Sequence, residues 1–135
     1  SCDNNALALN LYLDLAANTK YTATITTGAG LYAWGTNLSI VGDITLSGSA
    51  TDVWIFQIAR DLTVAPSVKV SLVGGTLAQN IFWQIAQGVT LEEEASFKGV
   101  ILSQINIALK SGAAVKGRLF TQTAVTLIAS TVAQP

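Results

Sequence analysis

The chain repeats one short pattern five times, and this repetition constrains the fold more than any other feature. Each copy ends in an apolar residue, a small residue and a second apolar residue, and the copies end at positions 40, 64, 91, 109 and 127. The steps between these ends are therefore 24, 27, 18 and 18 residues. Repeats of this length are typical of stacked units that share one continuous core.

The alternation within each copy predicts a short strand with two different faces. Residues two apart along a strand point to the same side, so the apolar pair faces the core and the residue between them faces away. We expect the five middle residues to form one column on the outside of a coil: Ser39, Thr63, Thr90, Ala108 and Thr126.

Composition argues against several classes of function. The 135 residues suffice for one domain with a continuous core, because half of them are apolar. Charged residues make up only 11% of the chain and the net charge is −1, so no basic stripe is available for nucleic acid. Histidine is absent, and the single cysteine, Cys2, cannot form an internal disulfide or a two-cysteine metal motif. We therefore expect no enzyme, no catalytic residues, no cofactor, no metal site and no nucleic-acid partner.

The N-terminal stretch combines two conflicting signals. Alternate leucines between residues 7 and 15 taken alone indicate a strand, but leucine and alanine favour helices, and Asn10, Asp14 and Asn18 recur at every fourth position. We predict a helix over residues 4–18. No apolar run approaches the roughly 20 residues that span a bilayer, so membrane insertion is not expected.

Two further strand patterns recur along the chain, so we expect each coil to hold three short strands. Residues 53–59 and 80–86 are apolar on both faces of the predicted strand, so both faces must be covered. The core covers one face, and the predicted helix is the candidate to cover the other. We interpret Trp54, Phe56 and Trp83 as core beneath that helix. A recurring pair of an apolar residue and a lysine predicts a column of Lys69, Lys98 and Lys116 that keeps a second face soluble.

Several segments together resemble the microbial ice-binding (antifreeze) proteins built on a discontinuous β-solenoid. The resemblance is carried by residues 30–34, 46–59, 78–86, 97–102 and 117–127, and it covers about residues 28 to 135. It implies a mostly β fold: a right-handed β-solenoid of triangular cross-section with one α-helix packed along one face. We accordingly expect one domain over 1–135, with the helix at 4–18 and solenoid coils at 28–135. It also implies a secreted protein with thermal hysteresis and ice recrystallisation inhibition, and an ice crystal surface as its partner.

The predicted ice-binding surface is a flat face of small and hydroxylated residues. Threonine suits such a face because its hydroxyl anchors water and its branched side chain has a restricted χ1 angle. Threonine is also an ordinary residue for an exposed strand, so the residue type alone does not identify a site. The predicted ice-binding residues are Thr36, Asn37, Ser39, Thr63, Thr90, Asn106, Ala108, Thr123, Ala124 and Thr126.

Departures from the family pattern leave an alternative open. Arg60 and Asp61 put charge beside the column, and residues 105–108 are a weak copy of the repeat. These features favour an ice-inactive adhesion or self-assembly module on the same scaffold. Residues 92–94 are three glutamates, which we interpret as a solvated corner rather than a metal or catalytic cluster.

The segment before the predicted helix is much shorter than in the family. A solenoid that ends without a cap exposes strand edges and core. We therefore expect a homo-oligomer or a companion chain that completes the solenoid, and Cys2 could crosslink two chains.

Overall fold

The computed structural model describes residues 25–27 and 29–135, which form three parallel β-sheets. Sheet A holds β1 (Ile25–Thr27), β4 (Ile44–Ser47) and β7 (Val70–Val73). Sheet B holds β2 (Gly30–Trp34), β5 (Trp54–Ile58), β8 (Ile81–Ile85), β10 (Ser96–Ser103), β12 (Ala114–Thr121) and β14 (Thr131–Ala133). Sheet C holds β3 (Leu38–Ile40), β6 (Leu62–Val64), β9 (Val89–Leu91), β11 (Asn106–Leu109) and β13 (Ala124–Leu127).

The order in which the chain visits these sheets makes the molecule a solenoid. From β1 to β9 the chain passes through sheets A, B and C three times in the same order. Each return places a strand parallel to its counterpart in the preceding coil, as in the pairs β2–β5 and β3–β6. The predicted mostly β solenoid is confirmed.

The later coils contain two strands rather than the expected three. The eight-residue strands β10 and β12 pair with each other along their whole length. The expectation of three strands in every coil is therefore wrong for these coils. The physical reason is the length of the coil. The 27-residue coil has additional turn residues, including the 3₁₀ turn at Ala78–Asn80, and an 18-residue coil has no room for them.

A stack of aromatic side chains occupies the core behind sheet B. The ring centroids of Tyr32 and Phe56 lie 5.1 Å apart, and those of Phe56 and Trp83 lie 4.0 Å apart with nearly parallel planes. Phe97 continues the stack 4.6 Å from Trp83. All four rings are buried, as is Trp54, so the interpretation of Trp54, Phe56 and Trp83 as core is confirmed.

The outer side of sheet B carries a second row of apolar residues. Leu31, Ile55 and Phe82 lie in register on neighbouring strands, and each is half-buried. The predicted helix over residues 4–18 lies outside the described residues. No helix within residues 25–27 and 29–135 is long and apolar enough to cross a membrane.

The predicted lysine column is wrong at one of its three positions. Lys98 lies beside Lys116 on paired strands, as expected, but Lys69 pairs with Ser96, two residues before Lys98. The 27-residue step that separates the repeat ends at 64 and 91 also separates Lys69 from Ser96. The similarity of the local sequences around Lys69 and Lys98 therefore does not reflect their pairing, and Lys69 lies outside the column.

The two ends of the solenoid differ in how well the core is covered. Leu38 in the first strand of sheet C is 1% exposed. In the last strand, β13, Val125 is 40% exposed and Leu127 is 51% exposed, although Ile107 and Leu109 beside them are fully buried. Within the described part of the chain, the core is therefore less covered at the β13 end than at the β3 end.

Candidate functional site

The middle residues of the five repeat copies form one continuous column on sheet C. Ser39 pairs with Thr63, Thr63 with Thr90, Thr90 with Ala108, and Ala108 with Thr126. No residue is skipped between strands, so the column crosses all five strands of the sheet. We call these five residues, Ser39, Thr63, Thr90, Ala108 and Thr126, the central column.

Burial of the flanking residues fixes the direction of the central column. Leu62 and Val64 are fully buried on either side of Thr63, which is half-buried. The same alternation occurs around Thr90 and Ala108. Because neighbouring residues of a strand point to opposite faces, burial of the apolar pair directs the middle side chain outward.

A second column lies two residues before the first, where each turn enters its strand. Asn106 and Ala124 are paired, and Asn37 and Asp61 precede the paired residues Leu38 and Leu62. Both asparagines and Ala124 are exposed. We call this set the corner column: Asn37, Asp61, Gly88, Asn106 and Ala124.

The two remaining predicted residues lie in turns at opposite ends of sheet C. Thr36 is exposed, and its hydroxyl donates a hydrogen bond to the carbonyl oxygen of Asn37 at 3.1 Å. Thr123 is also exposed, and its amide donates to the carbonyl oxygen of Ile105 at 3.0 Å. All ten predicted residues therefore lie on sheet C or in the turns that enter it. Their role in ice binding stays a prediction.

Sequence reasoning missed a third column on the same face, two residues after the central column. Lys110 and Glu92 form an ion pair there, with Lys110 Nζ 3.1 Å from Glu92 Oε1. An exposed pair of this kind stabilises a fold by about 0–1 kcal/mol. The column is Val41, Ala65, Glu92, Lys110 and Ile128. Counting two residues onward from each central position would have found it.

The interpretation of residues 92–94 as a solvated corner stays consistent with the geometry. Glu93 and Glu94 are exposed, and Glu92 has a cationic partner in Lys110. Within the described part of the chain, no group of three or more histidine, cysteine or acidic side chains could hold a metal ion.

Lys98 and Lys116 lie on paired strands of sheet B, away from the central column. Burial lowers the pKa of Lys98 below its ordinary value of 10.5, and the positive charge of Lys116 lowers this pKa further. Lys98 Nζ donates a hydrogen bond to Ser96 Oγ at 3.3 Å. Sheet B therefore carries two adjacent lysines, whereas the central column contains no charged side chain.

Three parallel sheets built by successive coils, with one continuous uncharged column of outward residues, place the chain in the class of β-solenoids that present a regular surface. The chain belongs to the ice-binding-like family, whose model matches residues 4–133. An ice-binding protein of Flavobacterium frigoris is 49% identical over 134 residues, which are 98% of this chain and 48% of that protein. An ice-binding protein of a Colwellia species is 44% identical over 111 residues, which are 82% of this chain and 44% of the relative.

Solved structures agree with this assignment. A glycosylated ice-binding protein from an Arctic yeast superposes with a TM-score of 0.81 at 35% identity, over 91% of this chain and 52% of that one. An ice-binding protein from an Antarctic Flavobacteriaceae bacterium gives 0.80 at 31% identity, over 96% of this chain and 33% of that one. The chain spans less than half the length of the two curated relatives named above.

Proposed function

We propose that this chain adsorbs to ice crystals through the central column and the residues beside it. The observation that carries the proposal is the unbroken register of Ser39, Thr63, Thr90, Ala108 and Thr126 across five strands. Adsorbed protein would inhibit ice growth and recrystallisation. The family assignment and the ice-binding relatives support the same function.

The physical argument rests on regular spacing. Neighbouring strands of a sheet lie about 4.7–4.9 Å apart, and outward side chains along one strand repeat at about twice the 3.3 Å rise. Together with the uncharged side chains of Asn37, Asn106 and Ala124 in the corner column, the central column therefore forms a two-dimensional grid. A rigid grid of small side chains can hold water in fixed positions, whereas a mobile or strongly charged surface cannot. Four of the strands, β3, β6, β9 and β11, are held rigid by the sheet hydrogen bonds and by fully buried apolar side chains on both sides of the central residue.

The remaining properties of the proposal follow from the family. We infer a right-handed solenoid of triangular section, with half-buried apolar side chains of Leu31, Ile55 and Phe82 on the outer side of sheet B. Adsorption to ice requires no covalent chemistry, so we infer that the protein is not an enzyme. A secreted location suits a protein whose partner is extracellular ice.

Thermal hysteresis and ice recrystallisation inhibition test the proposal. The folded chain is expected to separate the melting and freezing points of a solution that contains a single ice crystal, and to keep ice grains small during annealing. Unfolded chain at the same concentration is the control. A folded, monodisperse sample without either effect at high concentration would refute the proposal.

A specific observation favours a second candidate, self-assembly through the open end of the core. Val125 and Leu127 expose apolar side chains there, and β13 is the outermost strand of sheet C. An exposed apolar strand edge is a template for pairing with another chain. We infer that a second copy or a companion chain covers this end. This contact and ice adsorption use different surfaces, so both can occur in one molecule.

A further inference from the structure

The corner column contains side chains that bond to the backbone of the next coil. Asn37 Oδ1 accepts a hydrogen bond from the amide of Asp61 at 3.0 Å. Asp61 Oδ1 accepts one from the amide of Gly88 at 2.8 Å. Two side chains in equivalent positions thus link three consecutive coils, directly beside the central column.

These bonds involve amides at the turns that lead into β6 and β9. Asp61 and Gly88 directly precede those strands. The carbonyl oxygens of the same two residues accept the amides of Leu38 and Leu62 in the preceding coils. Asp61 is therefore held to both neighbouring coils, through its backbone on one side and its side chain on the other.

Gly88 completes the arrangement because it has no side chain. A Cβ atom at this position would lie 2.6 Å from Asn106 Oδ1 and 3.5 Å from Asp61 Oδ1. The first distance is far below van der Waals contact, so the side chain of Asn106 fills the space that a larger residue at position 88 would need. The turn before Thr90 is thus packed between Asp61 on one side and Asn106 on the other.

The hydrogen bond of Asp61 requires an acceptor oxygen but does not require a charge. Asn37 makes the equivalent bond with an uncharged amide. Among the described residues, no lysine or arginine forms an ion pair with Asp61. The carboxylate of Asp61 is exposed and lies beside the central column, which contains no charged side chain. A charged group holds liquid water strongly, which opposes replacement of that water by an ordered lattice.

We propose that Asp61 is a positioning residue of the ice-binding surface. Its Oδ1 holds the turn before β9, so that Thr63 and Thr90 keep their register. Asp61 does not itself contact the ice, and an amide can replace its carboxylate. The inference rests on the proposed function, since it assigns a role within that surface.

Two substitutions separate the acceptor from the charge. Asp61→Asn keeps an acceptor oxygen of the same size and removes the charge, so thermal hysteresis is expected to equal or exceed that of the parent chain. Asp61→Ala removes the acceptor and is expected to lose most of the thermal hysteresis. Exchange of the Gly88 amide with solvent deuterium, followed by NMR, is expected to be slow in the parent and in Asp61→Asn, and faster in Asp61→Ala.

Each outcome decides the inference. Loss of thermal hysteresis in Asp61→Asn with a protected Gly88 amide would overturn it, because the charge itself would then contact ice. Full activity in Asp61→Ala would also overturn it. If Asp61→Ala unfolds, Asp61→Asn alone still decides. If the parent chain has no thermal hysteresis, the proposed function fails, whereas the amide exchange of Gly88 still measures whether Asp61 holds the turn.

Discussion

At the residue scale, the central column of sheet C and the lysine pair of sheet B differ in charge. The central column contains no charged side chain, whereas Lys98 and Lys116 lie side by side on paired strands of sheet B. Lys98 is half-buried, and its ammonium group is adjacent to a like charge. The folded state therefore binds the proton of Lys98 less tightly than the unfolded chain does.

This lowered pKa predicts a pH dependence of stability. At pH values below the folded-state pKa, the charged Lys98 destabilises the native state, and this cost diminishes as pH rises from the folded-state pKa toward 10.5. We expect Lys98→Met to melt at a higher temperature than the parent at pH 7, with a difference that narrows at alkaline pH. Melting curves of both proteins at several pH values test this. A difference in melting temperature that stays constant across the whole pH range would show that the charge of Lys98 does not destabilise the folded state.

At the element scale, a pair of glycines permits the long strands of the last coils to pack. Gly99 has a φ of 124°, a conformation that other residues rarely adopt. It pairs with Gly117 on the next strand, where a Cβ atom would lie 1.8 Å from the carbonyl oxygen of Gly99. No flexible side chain can move aside there, because the obstacle is backbone.

Gly117→Ala is therefore expected to destabilise the protein strongly. The added methyl group must separate β10 from β12, at a cost of about 3 kcal/mol or more. Gly35→Ala is the matched control, because nothing lies within 4 Å of a Cβ atom at Gly35. Chemical denaturation of the three proteins measures the difference. A Gly117→Ala variant as stable as Gly35→Ala would show that β10 and β12 are not packed this closely.

At the scale of the whole molecule, the features that could be predicted from the sequence are those set by residue alternation and by the spacing of the repeat. Alternation around Thr63 and Thr90, together with the 27-residue step between them, was enough to place them side by side. The bonds of Asn37 and Asp61 were not predictable, because they depend on turn geometry that brings residues 24 and 27 positions apart together. Lys69 was misplaced because local similarity was preferred over the spacing of the repeat.

The exposed apolar side chains of β13 predict that the chain associates with a second copy. We expect the 135-residue chain under reducing conditions to sediment faster than a monomer at high concentration. Val125→Lys combined with Leu127→Lys should restore the monomer, because both side chains are already exposed at this end. Lys116→Gln, which alters a different face, is the control. A parent chain that stays monomeric at every concentration would contradict association through β13.

The central claim is that the outward residues of sheet C bind ice, and a single bulky substitution tests it most directly. Thr90→Tyr places a large ring in the middle of the central column, whereas Lys116→Tyr places the same ring on sheet B. Both positions face outward, so unfolding free energies should change by no more than about 0.5 kcal/mol. The measurement is the amount of fluorescently labelled protein that adsorbs to a single ice crystal. The account predicts that Thr90→Tyr loses most of the adsorption and that Lys116→Tyr keeps it; equal adsorption by the two variants would contradict the account.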